Sequence, residues 1–452
     1  MQQGRKKHEV VERARPHVER VAEDIRRLAT LGADPGGGIS RLAFTTQERE
    51  AHDLIAEWMR QLYLDVRVDS FGNTYALRAG RNPSLPALAF GSHVDTVPNG
   101  GGYDGAVGTI GALETMRLFH DNGWETEHSL LMVVFAAEEG ARFGKPNLGS
   151  RAVVGELTRE QMGQLRDANG STLEGALQAV GLDPDRLGEA RWAPGQVAAF
   201  LELHIEQGQV LESERKVIGL VDSIAGSTRL MFDIAGSAVH SGATPMHLRR
   251  DAVAAAADLT LGIEAIANDH RYRTTVATVG KIEVWPNSIT TIAGRTAVYA
   301  DVRDVDSVRQ REAANQVIQL ARRLEEKRGV EITVTLLSDS SPTILPTWVR
   351  HVTSQVCDEL GVPYRVMPSG AGHDASVVSS LVPAAMIFVP SQGGISHAPQ
   401  EWSSPEDISI GITVLCRSLL ALDNIAHTLK TASWTDAHSE GADLDAIETA
   451  AT

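Results

Sequence analysis

Cysteine is scarce in this sequence, which has only Cys357 and Cys416 among its 452 residues. Two cysteines cannot build a disulfide framework. Both lie in apolar, helical-looking stretches, SQVCDEL and TVLCRSLL, so we expect them to be buried as small hydrophobic side chains. Their scarcity fits a reducing compartment, and we predict a cytoplasmic protein.

Long apolar runs and an excess of basic residues are also lacking. No run approaches the roughly 20 residues that span a bilayer. The basic N-terminal stretch MQQGRKKHEVVERARPHVERV has no apolar segment of the kind found in signal peptides. The 42 Lys and Arg residues face 58 Asp and Glu residues, a formal charge of −16 that repels phosphate backbones. We therefore predict neither a nucleic-acid partner nor a membrane partner.

The remaining composition is that of a globular protein with more than one domain. Apolar residues make up 42% and charged residues 22% of the chain, which excludes disordered, collagen-like and coiled-coil proteins. A length of 452 residues is several times the roughly 150 residues of a typical domain, so two or three domains are expected.

The order of patterns along the chain predicts an α/β fold with a central parallel or mixed sheet. ALAFGSH and LLMVVFAAEE are short apolar runs typical of strands buried on both faces. A helix predicted over about residues 107–122 separates them, and this alternation favours parallel pairing. An earlier helix is predicted to begin at a capping box formed by Thr45 and Glu48.

A second pattern, beginning near residue 220, predicts an inserted domain. STRLMFDIAG alternates like a strand, a helix is expected from Thr244-Pro245, and two strands, a helix and a strand follow. The order β-α-β-β-α-β is that of a ferredoxin-like α+β unit. We predict this inserted domain at 220–336 and a discontinuous metal-binding domain at 1–219 and 337–452, with a disordered acidic tail at 433–452.

Polar side chains collect where the apolar strands end. His93 ends ALAFGSH, Glu138 and Glu139 end LLMVVFAAEE, and His397 follows PAAMIFVPS. The glycine-rich loop NGGGYDG can turn Asp104 back toward the same edge. Ligand sites in open α/β sheets form beyond the carboxyl ends of strands, and imidazole with carboxylate suits divalent zinc, manganese, cobalt or nickel. The sequence therefore predicts a metal pair at this edge.

The spacing of these residues also indicates roles. Asp104 is predicted to bridge two ions, which lie about 3.5–4 Å apart in two-metal hydrolases. Asp95, two residues beyond His93, is predicted to accept the second imidazole N–H of that histidine. Of the adjacent Glu138 and Glu139, one carboxylate would bind metal while its neighbour takes the proton of the attacking water.

Several segments resemble the amidase/hydantoinase/carbamoylase branch of the M20 metallopeptidase superfamily. They are GSHVDTVPNGGGYDGAVG, AAEEGARF, LGSRAVVG, HIEQGQVLE, AVHSGATPMHLRRDA, SGAGHDASVV and IFVPSQGGISHAPQE. The branch contains N-carbamoyl-L-amino acid hydrolases, β-ureidopropionases and allantoate amidohydrolases. The resemblance extends from about Gly36 to Leu420.

The resemblance implies a bimetal site and a two-fold homodimer. Two ligand sets are implied, one of His93, Asp104 and His204 and the other of Asp104, Glu139 and His397. Glu138 is implied as the general base, and His240 of the inserted domain is implied to reach the substrate carbonyl in the other subunit. The implied substrate-binding residues are Gln207, Asn287, Thr290, Arg303 and Gly372. The roles of His373, Asp374 and Glu401 stay open.

One segment departs from the pattern of the branch. Where relatives commonly have Pro-Asn-x-x-Asn-x-x-Pro-Gly, this chain has Thr290 in place of the second Asn and Ala293 in place of the second Pro. Threonine is shorter and offers one hydroxyl instead of an amide. If Arg303 holds a carboxylate through two parallel hydrogen bonds, we expect a substrate that keeps a carboxylate but has a bulkier or less polar side chain. The alternative for Arg303 is a surface ion pair with Asp301 or Asp304.

Other classes of protein are less compatible with the sequence. GISHA mimics the nucleophile elbow of a serine hydrolase, but Pro399 follows where that elbow needs a helix. A nucleotide-binding loop would need the motif GK[ST] after its glycines, and this sequence lacks that motif after Gly102. The Glu138-Glu139 pair argues against a non-catalytic relative.

We expect a metal-dependent amidohydrolase that cleaves a linear carbamoyl or ureido C–N bond. The alternative is an amidase or peptidase of the same superfamily that acts on an N-acyl amino acid or dipeptide, although exopeptidase branches usually have an acidic residue where this chain has His204.

Overall fold

The computed structural model describes residues 15–426, which divide into two compact units. Within these residues, unit 1 contains 15–222, 345–367 and 373–426, and unit 2 contains 223–344 and 368–372. The acidic tail that was expected to be disordered lies outside the described residues.

A mixed α/β arrangement with a nine-stranded sheet forms the first part of the chain and returns at its end. The elements before unit 2, in chain order, are α1 (Val18–Ala29), α2 (Thr46–Arg60), β1 (Asp65–Val68), β2 (Thr74–Arg78), β3 (Ala87–His93), α3 (Ala106–Asp121), β4 (Leu130–Phe135), α4 (Leu148–Val154), α5 (Arg159–Gln164), α6 (Leu173–Ala179), β5 (Val197–Ile205), α7 (Val210–Glu214) and β6 (Ile218–Ile224). Unit 2 contributes β7 (Gly226–Ala235), α8 (Ala252–Ala267), β8 (Val276–Trp285), β9 (Arg295–Asp304), α9 (Ser307–Arg328), β10 (Glu331–Ser340) and β11 (Thr343–Ile344). The last elements are α10 (Thr347–Leu360), β12 (Tyr364–Ser369), α11 (Asp374–Val378), β13 (Ala384–Val389) and α12 (Pro405–Ala426).

The large sheet is parallel at its centre and antiparallel at its sides. Its strand order is β1-β2-β4-β3-β5-β13-β6-β11, and β12 also pairs with β6. Strands β4, β3, β5 and β13 run parallel, whereas β2 and β6 pair antiparallel with this central group. Every residue of the four central strands is buried, as their apolar runs predict. Parallel pairing brings the carboxyl ends of these four strands to one edge.

Helix α12 is more apolar than the sequence analysis allowed. Among the helices of residues 15–426 it alone is long and apolar enough to cross a membrane, with a mean hydropathy of 1.5. However, Ile412, Leu415 and Leu419 are buried in the same core as Leu113 of α3 and Phe90 of β3. The helix therefore has the packing of a core helix, a case that length and composition alone do not separate from a membrane span.

Unit 2 contains a four-stranded antiparallel sheet with the order β10-β7-β9-β8. Residues of β7 alternate between buried and half-buried positions, so that one face of the sheet is covered. On that face Phe232 and Ile234 share a core with Leu259 of α8 and Val317 of α9. From β7 to β10, the strands and helices of this unit follow the order β-α-β-β-α-β.

The helix predicted from Thr244-Pro245 begins later than expected, and that prediction is wrong. Pro245 precedes only a short 3-10 turn at Met246–Leu248. Helix α8 begins at Ala252 because the Asp251 side chain caps it and accepts two backbone N–H bonds from its first turn.

Candidate metal centre

Four strand ends deliver polar residues to one edge of the sheet in unit 1. Strand β3 ends at His93, and β5 carries His204 one residue before its end. Strand β4 ends at Phe135, earlier than predicted, and Glu138 and Glu139 lie in the loop beyond it. His397 lies in the loop that follows β13.

Asp104 lies at the centre of three imidazoles. Its Oδ1 is 3.1 Å from His204 Nε2 and 3.7 Å from His93 Nε2, and its Oδ2 is 3.1 Å from His397 Nε2. Glu139 Oε2 lies 3.3 Å from the same His397 nitrogen. The fold thus brings together all five side chains that the sequence analysis named as metal ligands.

These five residues form two groups of three that share Asp104. In the group of His93, Asp104 and His204, and in the group of Asp104, Glu139 and His397, one ligand atom from each residue lies within 4.8 Å of the other two. Glu139 Oε1 is buried and has no hydrogen-bond partner among residues 15–426. An unpaired buried oxygen costs about 1–3 kcal/mol, which a cation offsets. The mixed imidazole and carboxylate donors fit divalent metals.

A third group, Glu202, His204 and His373, meets the same distance criterion. Its carboxylate is already hydrogen-bonded, because Glu202 accepts from Ser92 Oγ at 2.8 Å and from the Ala375 N–H at 2.9 Å. The ring centroids of His204 and His373 lie 4.4 Å apart in an edge-to-face contact. This group shares His204 with the first group and packs against it.

The carboxylates of the site are crowded and buried. Burial acts to raise the pKa of Asp104, but hydrogen bonds from the three imidazoles outweigh it and hold that pKa well below its usual range. Burial, reinforced by the Asp104 charge, raises the pKa of Glu139 to about 8. Burial also raises the pKa of Glu138 well above its usual range, against the opposing effect of a nearby imidazole. The hydrogen bond to Asp104 raises the pKa of His397 to about 9. Such an excess of buried acid is the electrostatic setting that cations relieve.

Asp95 orients the glutamate pair more directly than it orients the histidine. Its Oδ1 accepts the Glu138 N–H at 2.9 Å and its Oδ2 accepts the Glu139 N–H at 3.0 Å. His93 Nδ1 bonds instead to the backbone carbonyl of Asp95 at 3.1 Å, while the carboxylate Oδ1 lies at 3.5 Å. The main chain of Asp95, rather than the predicted carboxylate, therefore bonds to the imidazole, and the carboxylate serves two amides.

Glu138 is held by a residue that the sequence analysis missed. Asn147 Nδ2 donates to Glu138 Oε1 at 2.7 Å. The other carboxylate oxygen, Oε2, lies 3.7 Å from His93 Nε2. Asn147 follows Glu138 by nine positions in an irregular loop, so no periodicity links the two in sequence.

Glu48 is a second residue whose contribution was missed. The capping box forms only in half: Thr45 Oγ1 accepts the Glu48 N–H at 3.3 Å, but the Glu48 carboxylate bonds elsewhere. Its oxygens accept the Phe44 N–H at 2.7 Å and the Ala137 N–H at 3.2 Å. Ala137 has a φ of 58°, a conformation that strains a residue with a Cβ. Glu48 therefore helps to hold the turn that leads into Glu138.

Gln207, predicted to bind substrate, lies among the ligands themselves. Its Nε2 donates to Asp104 Oδ2 at 2.5 Å and to Ser396 Oγ at 3.3 Å. Ser396 in turn donates toward Asp104 and Glu401. The next helix after Ser396 begins only at Pro405, so GISHA does not form a nucleophile elbow.

The other predicted substrate residues belong to unit 2. His240 is exposed, and its Nδ1 accepts backbone N–H bonds at 3.1 and 3.2 Å, which leaves the proton of the neutral ring on Nε2. Thr290 is exposed and accepts the Ser241 N–H at 2.9 Å through its carbonyl, beside His240. Asn287 and Gly372 are also exposed.

Arg303 makes the ion pair that was considered as its alternative role. Its Nε and Nη2 bond to Asp301 Oδ2 at 3.1 and 2.8 Å, and its Nη1 bonds to the Gly370 carbonyl at 2.8 Å. Within the described residues these bonds leave two of the five guanidinium N–H donors for a ligand. Arg303 lines a depression of about 470 Å³ together with Arg229, Lys281 and Asp301.

Several known proteins are similar to this chain over most of its length. The model of peptidase family M20/M25/M40 matches residues 89–421. The N-carbamoyl-L-amino acid amidohydrolase of Geobacillus stearothermophilus is 41% identical over 404 residues, which cover 89% of this chain and 98% of that protein. The allantoate amidohydrolase of Escherichia coli K12 is 33% identical over 404 residues, covering 89% of this chain and 97% of that protein.

A solved structure shares the fold over a similar extent. The amidase of the hydantoinase/carbamoylase family from Burkholderia multivorans superposes with a TM-score of 0.82 at 34% identity, over 90% of this chain and 98% of that chain. The resemblance found in the sequence motifs is therefore confirmed, and the chain belongs to peptidase family M20/M25/M40.

Proposed function

We propose that this protein is a metal-dependent amidohydrolase that cleaves a linear C–N bond in a carbamoyl or ureido group. The observation that carries the proposal is the pair of ligand groups sharing Asp104, in a chain 41% identical to an N-carbamoyl-L-amino acid amidohydrolase. The alternative, cleavage of an N-acyl amino acid or dipeptide, is not favoured, because the similar proteins include N-carbamoyl-L-amino acid and allantoate amidohydrolases.

Two divalent ions, of zinc, manganese, cobalt or nickel, are proposed as cofactors. His93, Asp104 and His204 would hold one, and Asp104, Glu139 and His397 the other. When bound, such ions act as Lewis acids and lower the pKa of water toward about 7. The unpaired buried oxygen of Glu139 and the crowding of acids support this assignment.

Glu138 is the proposed general base. Asn147 occupies Oε1, so Oε2 is the oxygen that can accept a proton from the attacking water. The same oxygen then delivers that proton to the nitrogen of the departing amine as the C–N bond breaks. The Asp95 carboxylate accepts a hydrogen bond from the Glu138 backbone N–H, and this bond fixes the position of the base. A carbamoyl group would leave as carbamate, which decays to carbon dioxide and ammonia.

Unit 2 is proposed to be a ferredoxin-like lid and dimerisation domain, inserted at about 220–336 in the metal-binding domain. Its β-α-β-β-α-β order and the family resemblance support this proposal. In the proposed two-fold homodimer, His240 of one subunit would donate its Nε2–H to the substrate carbonyl in the other, because its Nδ1 is already an acceptor. A cytoplasmic location is proposed from the scarcity of cysteine.

The substrate is proposed to be a small molecule with a carboxylate. Arg303 would hold that carboxylate with its two remaining donors, in a depression that has three cationic side chains and one acid. The further contacts are assigned to Gln207, Asn287, Thr290 and Gly372.

Ammonia release tests the proposal. The metal-loaded enzyme should release ammonia from N-carbamoyl amino acids or related ureido acids. Metal-stripped enzyme should not do so, and added divalent ions should restore the activity. Hydrolysis of N-acyl amino acids or dipeptides, with no ammonia from any ureido acid, would favour the alternative and contradict the proposal.

A further inference from the structure

Glu401 is a buried carboxylate, 4% exposed, whose two oxygens bond to two different loops of the metal centre. Oε1 accepts the N–H groups of Tyr103 and Asp104 at 2.8 and 2.9 Å. Oε2 accepts the Ser396 hydroxyl at 2.8 Å and the His397 N–H at 3.2 Å. We infer that Glu401 is a positioning residue that fixes Asp104 and His397 in the geometry of metal ligands. This inference rests on the metal pair of the proposed function.

Neither Asp104 nor His397 lies in a helix or strand that could fix its position. Asp104 follows a run of glycines, and His397 has a φ of 56°, which is unfavourable for a residue with a Cβ. Hydrogen bonds to an ionised carboxylate are shorter and stronger than neutral ones, so four of them can hold both loops.

Gly101 lies directly against the Glu401 side chain. An alanine Cβ at this position would overlap Oε1, Cβ and Cδ of Glu401. The glycine therefore gives the Glu401 side chain the room it needs against the loop. Its own backbone φ is not in the left-handed region, so the missing side chain, rather than the backbone, explains this glycine.

The two proposed ions should depend on Glu401 to different extents. The ion of Asp104, Glu139 and His397 takes two of its three ligands from the loops that Glu401 fixes, whereas the ion of His93, Asp104 and His204 takes one. Outer-shell partners of metal ligands typically change metal affinity by about 10–100-fold. We expect Glu401→Gln to lower the affinity for the ion of Asp104, Glu139 and His397 by about 10–100-fold. The affinity for the ion of His93, Asp104 and His204 should fall less.

Calorimetric titration of the metal-stripped full chain with Zn²⁺ and with Mn²⁺ measures both affinities. Asp423→Asn is the matched control, because Asp423 is also buried, 8% exposed, and accepts two backbone N–H bonds, from Glu127 and His128 at 3.0 and 2.8 Å. Those residues precede β4, at the opposite end of the sheet from the ligands. We expect Asp423→Asn to lower stability and leave the metal affinities unchanged.

Gly101→Ala should act in the same direction as Glu401→Gln, since it displaces the same carboxylate. Amide hydrogen exchange on the metal-free chain gives a readout independent of metal. The Tyr103, Asp104 and His397 amides should exchange faster in Glu401→Gln than in the unmodified chain. Unchanged exchange, or metal affinities equal to those of the unmodified chain in both variants, would overturn the inference. If the unmodified chain binds no divalent ion, the proposed function fails, and the exchange measurement still decides whether Glu401 anchors the loops.

Discussion

The proposed metal-ligand edge of unit 1 and the substrate residues proposed in unit 2 are built in different ways. In unit 1, His93, Asp104 and His204 are buried, and their positions are fixed by strand ends and by bonds to main chain and carboxylates. In unit 2, His240 and Thr290 are exposed, and their recorded bonds reach only neighbouring loop residues. The first arrangement is complete within the fold. In the second arrangement, loop bonds fix the positions of exposed side chains that would bind substrate.

This difference predicts where substitutions act. Changes at the buried edge should alter metal content or kcat, because the reacting groups themselves are displaced. Changes in unit 2 should act on the substrate, through KM, through specificity or through a neighbouring subunit. Substitutions in both units test that division.

Glu138→Gln should lower kcat about 10²–10⁴-fold while the metal content stays unchanged, because an amide cannot accept the proton of water. Glu139→Gln should instead lose metal from one site, since Glu139 has a ligand oxygen but no proposed proton role. Steady-state kinetics and elemental analysis of both purified variants measure this. Full activity in Glu138→Gln, with unchanged metal in both variants, would show that the roles are wrongly assigned.

His240→Ala should lower kcat about 10²–10³-fold, the usual effect of removing one donor to a developing oxyanion. If a partner subunit supplies His240, mixing His240→Ala with Glu138→Gln chains should restore activity. Each such heterodimer contains one site with both residues intact. The two single-variant homodimers, measured alone, are the controls, and inactive heterodimers of verified composition would argue against a shared site.

Arg303→Ala should raise KM about 10–100-fold for substrates with a carboxylate, because a charge-assisted pair of bonds is lost. Arg229→Ala is the matched control, since Arg229 lines the same depression and approaches Asp301 at 3.4 Å. It should change KM much less. If Arg303→Ala handles an acid and its neutral amide as the unmodified enzyme does, Arg303 is only the partner of Asp301.

The strand ends of unit 1 were predictable because a rule about the burial of strands and a rule about the direction of parallel strands both apply there. Runs such as ALAFGSH are continuous and apolar only when a strand is buried on both faces, and parallel strands bring their carboxyl ends to one edge. His93, Glu139 and His397 follow such runs, so their approach could be expected from sequence. His204 was assigned from the family resemblance, because strand β5 has polar residues among its apolar ones.

The supporting bonds were not predictable in the same way. Glu48 and Glu401 bond to main chain far away in sequence, and Asn147 bonds to a side chain nine positions earlier across an irregular loop. No periodicity in the sequence indicates such pairs. The turns that they hold include positive φ at Ala137 and His397, residues that do not ordinarily signal that conformation. The late start of α8 was also not predictable, because Thr244 and Asp251 are both acceptable caps in sequence, and it is Asp251 that accepts the N–H bonds of the first turn.

Thr290→Asn should shift substrate preference toward polar ureido acids such as allantoate, by about 3–10-fold in the ratio of kcat/KM values, the effect of one hydrogen bond. Among the described residues 15–426, the only hydrogen-bonding contact of the Thr290 side chain is a long one of 3.5 Å with Ser288 Oγ, whereas its carbonyl accepts the Ser241 N–H. The backbone position is therefore set independently of the side chain, and asparagine should fit without disturbing His240. The unmodified enzyme should prefer an N-carbamoyl amino acid with a bulky or apolar side chain, because threonine leaves space and offers only a hydroxyl. Ser288→Ala, which removes the 3.5 Å contact, is the control and should leave the ratio unchanged. The interpretation of this position is wrong if allantoate is the best substrate of the unmodified enzyme, or if Thr290→Asn moves the ratio no more than Ser288→Ala does.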